Sequence, residues 1–127
     1  MPTYYIAWDG NDANTGLSDT SPWKTISKYD TIKYSLQPGD RILFKRGGTY
    51  RGPFVLPASG TAASPIVVGA YGTGAKPKIL GSNRILSWTP HSGNIWKASV
   101  ADEVGYLFQS GQLLSLARYP TTGMLYN

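Results

Sequence analysis

From residue 41 onward the sequence is cut into short apolar segments: Ile42-Leu43-Phe44, Phe54-Val55-Leu56, Ile66-Val67-Val68 and Ile79-Leu80. They begin about every dozen residues, and even spacing of that kind fits a sandwich, a barrel or a solenoid coil. Turn formers separate them, at Arg46-Gly47-Gly48, Pro57-Ala58-Ser59-Gly60 and Tyr71-Gly72-Thr73-Gly74. The segments are near-continuous apolar runs with little alternation. Strands stacked in a parallel coil have that pattern, whereas strands with one face in water alternate.

The chain before this region reads differently. Tyr4 to Trp8 is aromatic and β-branched and predicts a short strand. Asp9 to Gly16 is a loop, because Asn and Asp bond their own backbone and Gly supplies positive φ. Ser21-Pro22-Trp23 predicts a helix start, with Ser21 as N-cap and Pro22 at the first helical position. Trp23, Ile26, Tyr29 and Ile32 then form one apolar stripe, and Pro38-Gly39-Asp40 ends it. After residue 84 two hairpins are expected. One joins Ile85–Thr89 to Ile95–Val100 through the loop 90–94, and the other turns at Ser110-Gly111 between 106–109 and 112–117. Nine Tyr, four Trp, fifteen Gly and nine Pro support a mostly-β class.

Charge and composition limit the partners. The formal net charge is +5 and there is no Cys, so neither a disulfide nor a thiolate metal site exists. A basic surface favours polyanions, acidic polysaccharide among them. Yet Arg41, Lys45, Arg46 and Arg51 would not share one face of an alternating strand, and no nucleic-acid motif accompanies the charge. Nucleic acid is therefore not an expected partner. Neither is a membrane, since no apolar run approaches the roughly 20 residues that span a bilayer. The opening Met1-Pro2-Thr3-Tyr4-Tyr5 lacks the basic flank and apolar stretch of a signal peptide, so an exported form would have lost its leader.

Several phrases, in order, resemble one family. Tyr4-Tyr5-Ile6-Ala7, Asp9-Gly10-Asn11-Asp12 and Ser21-Pro22-Trp23-Lys24-Thr25-Ile26 are similar to the opening of bacterial right-handed parallel β-helix proteins of the pectate-lyase-like and glycoside-hydrolase-like kind. Pro38-Gly39-Asp40-Arg41-Ile42-Leu43-Phe44-Lys45-Arg46-Gly47 resembles the start of their first coil, and Pro65 to Gly72 their next rungs. Gly93 to Ala98 and Leu116-Ala117-Arg118-Tyr119-Pro120 resemble later phrases. The resemblance implies a single domain at the start of a longer β-helix: a cap over about residues 1–40, first coils over 41–84, and hairpins over 85–127 leading into further coils. It also implies a secreted or cell-surface protein acting on polysaccharide as lyase or hydrolase, with the Trp23, Ile26, Tyr29 stripe covering the first rung. The alternative architecture is a small β-sandwich or barrel. The alternative functions are a carbohydrate-binding module without catalysis and a structural segment of a surface adhesin or phage-type spike.

No catalytic set can be mapped. Lyases of such folds use a basic proton abstractor beside a cation, and hydrolases use paired carboxylates. The acids are Asp9, Asp12, Asp19, Asp30, Asp40, Asp102 and Glu103, and most fall in the leading loop, the helix or turns. Asp102 and Glu103 would diverge on a strand. His91 lies in a hairpin loop without a second imidazole, and Arg118 reads as a structural anchor. The catalytic residues are thus unknown, and the segment is expected to be inactive alone. For sugar stacking the candidates are Trp8, Trp88, Trp96, Tyr50 and Tyr71, whose large rigid rings suit a pyranose face, against packing in core or cap. For calcium the candidates are Asp9, Asn11 and Asp12, which offer oxygen ligands but lack a downstream bidentate acid; Asx turns are the competing explanation. An uncovered last rung would expose backbone and core, so self-association through that end is expected.

Overall fold

The computed structural model describes residues 1–101 and 104–114. It is mostly β, with short strands and little helix, in two units, Met1–Asn83 and Arg84–Asn127. Asp102, Glu103, Arg118 and the phrase around Tyr119-Pro120 lie outside the described residues.

In the first unit β1 (Thr3–Ile6), β2 (Arg41–Lys45) and β4 (Val67–Tyr71) form one sheet, and β3 (Thr49–Arg51) and β5 (Lys78–Leu80) form another. Every ladder in these two sheets is parallel, with Ile6 opposite Phe44, Arg41 opposite Val67, and Thr49 opposite Lys78. The chain therefore visits the first sheet, turns into the second, and returns to each in the same order. Pairing continues around the corner: Arg46 N–H donates to the Tyr71 carbonyl at 2.9 Å and Gly47 N–H to that of Ala75 at 2.9 Å. Gly47 has a φ of 80°, which lets the strand break sharply there. Arg51 also reaches from one turn of chain to the next, its guanidinium donating to the Ser82 carbonyl at 3.2 Å.

The core follows from the alternation of side chains along these strands. Ile6, Ile42 and Phe44 point inward and are buried, as is Tyr50 of β3. Phe44 meets Tyr50 and Phe54 edge-on, with ring centroids 4.9 and 5.4 Å apart. The helix α1 (Ile26–Asp30) adds Ile26 and Tyr29 to the same cluster, which also takes in Trp23 and Leu36.

Three local expectations are corrected. The helix is capped by Thr25, not Ser21, and it begins later because Pro22 and Trp23 are held extended against β1. Tyr5 N–H donates to the Gly16 carbonyl at 2.7 Å, Trp23 N–H to that of Tyr5 at 2.9 Å, and Ala7 N–H to that of Trp23 at 2.8 Å. The outer edge of β1 is thus covered by the loop that follows it. Phe54-Val55-Leu56 forms no strand: Phe54 stacks on Tyr29 at 4.8 Å and the Tyr29 hydroxyl donates to the Val55 carbonyl at 3.0 Å. Instead Thr49–Arg51 pairs, although only its central residue is apolar.

The second unit holds two antiparallel hairpins, β6 (Thr89–Ser92) with β7 (Ile95–Lys97), and β8 (Phe108–Gln109) with β9 (Gln112–Leu113). The first is tighter than expected. It turns at Gly93-Asn94, and a bulge shifts the register between Pro90 and Ser92, because Pro90 has no N–H to give the ladder. The second turns at Ser110-Gly111, both with positive φ, as a tight hairpin requires. None of its described residues is buried.

Candidate functional site

The face of the three-stranded sheet turned away from the core carries Tyr5, Leu43, Lys45 and Tyr71. Register decides this, since Tyr5 lies opposite Leu43 and Lys45 opposite Tyr71. Tyr5 and Tyr71 meet edge-to-face with centroids 5.1 Å apart across the strand between them. Gly69 leaves room for the Leu43 side chain beside them, since a Cβ there would come within 3.2 Å of Leu43 Cδ2. The Tyr71 hydroxyl is enclosed and meets no protein partner. Burial first, then the charges of Tyr50, Asp9, Asp19 and Tyr5, push its pKa up to about 12.

At the end of the strands β1 runs into Trp8 and Asp9, and β2 into Lys45. The Lys45 ammonium donates to Asp9 Oδ2 and lies 5.7 Å from the centre of the Trp8 ring, while Asp9 and Lys45 are 2.6 Å apart. That hydrogen bond from Lys45 is the main reason the Asp9 carboxyl sits below the ordinary carboxylate value. Gly48 supports the ring from the β2–β3 turn, where a Cβ would fall 2.5 Å from Trp8 Cδ1. Trp8 remains 52% exposed.

The other candidates are placed as follows. Tyr50 is a core ring, 3% exposed, whose hydroxyl donates to the Lys45 carbonyl at 2.9 Å; it presents no face to a sugar. The inward phase of β3 puts it there. Tyr71 is only partly covered and belongs to the outer face just described. Trp88 and Trp96 lie in the second unit and are exposed, Trp88 donating its indole N–H to the Ile85 carbonyl at 3.0 Å and Trp96 standing on β7.

Asp9, Asn11 and Asp12 are engaged with protein. Asp12 Oδ1 accepts the Lys24 and Thr25 amides at 2.8 and 2.9 Å, and its Oδ2 accepts the Thr25 hydroxyl at 2.8 Å. Burial pushes this carboxyl up, but the bonds from Thr25 and Lys24 hold it below the ordinary value. Asn11 Oδ1 accepts the Ala13 amide at 2.9 Å, the Asx turn expected of such a loop. Among the described residues no group of three or more His, Asp or Glu is placed to hold a metal ion. Asp30 pairs with Lys33 at 2.9 Å, and buried Asp40 accepts the Gln37 amide at 2.9 Å. Four of the described acids therefore serve the backbone or an ion pair. His91 is exposed on β6.

Sequence reasoning did not join Trp8, Asp9 and Lys45. No local pattern links residues so distant in the chain; only the parallel register of Ile6 with Phe44 does.

No protein-family model matches the chain. A stretch of 54 residues, 42% of this chain, is 37% identical to a lacto-N-biosidase of Bifidobacterium longum subsp. longum and spans 3% of that protein's length. The crystal structure of a GH136 lacto-N-biosidase from Eubacterium ramulus is similar at a TM-score of 0.53 and 40% identity, over 59% of this chain and 12% of that one. The structure of XylC in complex with xylose is similar at a TM-score of 0.53 and 28% identity, over 74% of this chain and 14% of that one. The chain spans a small fraction of each protein, and the likeness is to glycoside-hydrolase-like, carbohydrate-active proteins.

Proposed function

We propose that this chain forms the cap and first coils of a right-handed parallel β-helix in an extracellular glycoside hydrolase, and that the hydrolytic carboxylates belong to other coils. One observation carries this. Ile42 and Tyr50 are 0% and 3% exposed, whereas their register partners one turn later, Val68 and Ile79, are 41% and 39% exposed. Residues of the same kind, at the same inward phase, are sheltered in one turn and open in the next. A further coil stacked on β4 and β5 would cover them.

The two ends of the stack support the same reading. The backbone of β1 is satisfied by Gly16 and Trp23, as a cap requires, while no strand pairs with the far edge of β4 among the described residues. Parallel ladders throughout the first unit also differ from the antiparallel pairing of a sandwich. The similarity to lacto-N-biosidases and to XylC favours hydrolase over lyase and an oligosaccharide as substrate.

A chimera tests the proposal. Residues 1–83 would replace the matching segment of the Eubacterium ramulus enzyme, and lacto-N-biosidase activity would be followed beside that of this chain alone. A folded, active chimera with an inactive isolated chain is expected. An aggregated chimera would sink the cap-and-coil assignment, and turnover by the chain alone would sink the claim that its site is incomplete.

A further inference from the structure

Cap and coils need a buried interior and satisfied edges, but they have no use for a tryptophan in water. Trp8 is nonetheless held there, 52% exposed, with Gly48 against its edge and Lys45 above it. We infer that Trp8 and the Asp9–Lys45 pair form a binding subsite for a neutral pyranose, at the end of the sheet where β1 and β2 run out. The subsite rests on the carbohydrate-active reading above and adds to it a place and a ligand class.

Three features select that ligand. The first is the ring: its position is set by the β2–β3 turn, so a sugar face can stack on it with little ordering cost. The second is the ion pair. An ammonium carries three donors and a carboxylate only acceptors, so Lys45 and Asp9 together offer both partners that a sugar hydroxyl needs. The third is the balance of charge. Asp9 neutralises Lys45 at 2.6 Å, so the patch carries no spare cation for a uronate. A basic chain would otherwise be expected to prefer acidic sugars.

The test is an NMR titration of the whole chain labelled with 15N-tryptophan, its four indole N–H signals assigned by Trp→Phe substitution. The probes are xylobiose and N-acetylglucosamine as neutral sugars and digalacturonate as the acidic one. A saturable shift of the Trp8 indole by a neutral probe is expected, with a dissociation constant on the order of 1 mM. Binding by the variants is followed on the sugar protons by a saturation-transfer titration, since two of them lack the Trp8 indole: Trp8→Ala is expected to weaken it at least about tenfold and Lys45→Gln a few-fold, while Trp8→Phe keeps most of it. The Trp23 indole, buried and bonded to the Asn14 carbonyl at 2.9 Å, reports in the same spectrum whether each variant is folded. If Trp8→Ala disturbs it, the other two variants decide.

No shift at Trp8, a shift confined to Trp88 or Trp96, or tighter binding of digalacturonate would each overturn the subsite. Its failure is distinct from failure of the proposed function. An active chimera with a silent Trp8 loses only the subsite, and a responsive Trp8 with an aggregated chimera loses only the cap-and-coil assignment.

Discussion

Ile42 and Val68 occupy equivalent places on adjacent strands, as do Tyr50 and Ile79, yet the first of each pair is buried and the second is open to water. The difference does not lie in residue type, since all four are apolar or aromatic at the same inward phase. It lies in the neighbours: β2 is paired on both sides and Tyr50 of β3 packs against Phe44 and the rest of the core, whereas among the described residues β4 and β5 are each paired on one side only. Stability in a stack of this kind is a property of adjacent turns more than of single residues. Apolar area removed from water is worth about 25 cal/mol per Å², and only a covered turn collects it.

The sharpest way to break that comparison is to truncate each partner. Ile42→Ala is expected to cost about 2–5 kcal/mol, the range for emptying a packed site, whereas Val68→Ala should stay within about 0.5 kcal/mol. Urea denaturation followed by tryptophan fluorescence measures both. Equal losses would mean that β4 is as well covered as β2.

A smaller effect is expected at the sheltered end. Asp12→Ala removes the acceptor of three hydrogen bonds and is expected to cost about 1 kcal/mol, as for other lost caps. The folded chain holds this carboxyl below its ordinary value of 3.8, so its contribution is present above that pH and fades as pH falls through the lowered one. Acid titration of the unfolding midpoint should accordingly be shallower below about pH 4 in Asp12→Asn than in the parent. An unchanged slope would assign the acid sensitivity elsewhere.

The smallest change in stability, and the clearest change in behaviour, belongs to the open end. The chain is expected to self-associate there, as exposed strand edges do. Val68→Lys with Ile79→Lys should leave the urea midpoint almost unmoved and reduce the concentration dependence of the sedimentation coefficient. A parent chain that sediments as a monomer at every concentration would contradict the openness of β4 and β5.

Much of this architecture was legible because apolar runs and glycine turns are local. Ile42-Leu43-Phe44 and Ile79-Leu80 were found as strands, and Ser110-Gly111 as a hairpin turn. Thr49–Arg51 escaped because one buried tyrosine between polar residues makes no run. Phe54-Val55-Leu56 misled because its carbonyl and its ring are claimed by Tyr29, a competition that only tertiary contact reveals. Ser21-Pro22 looked like a helix start, but the backbone of Trp23 bonds more favourably as a neighbour of β1. The patch at Trp8 was the least legible part. Trp8 reads as a sugar-stacking candidate and Asp9 as an oxygen ligand, yet only the parallel register joins them through Lys45.

That register also sets an order in time. β2 pairs with β1, β4 with β2 and β5 with β3, so these three strands each find a partner in chain already made, while β3 gains its ladder only from the later β5. A ribosome would thus release β2, β4 and β5 onto strands that precede them, and the three-stranded sheet can grow from its N-terminal strand. The slow event is expected to be the first one. Closing the long excursion from Ile6 to Arg41 costs loop entropy before any ladder repays it, whereas each later turn is added to a surface already in place.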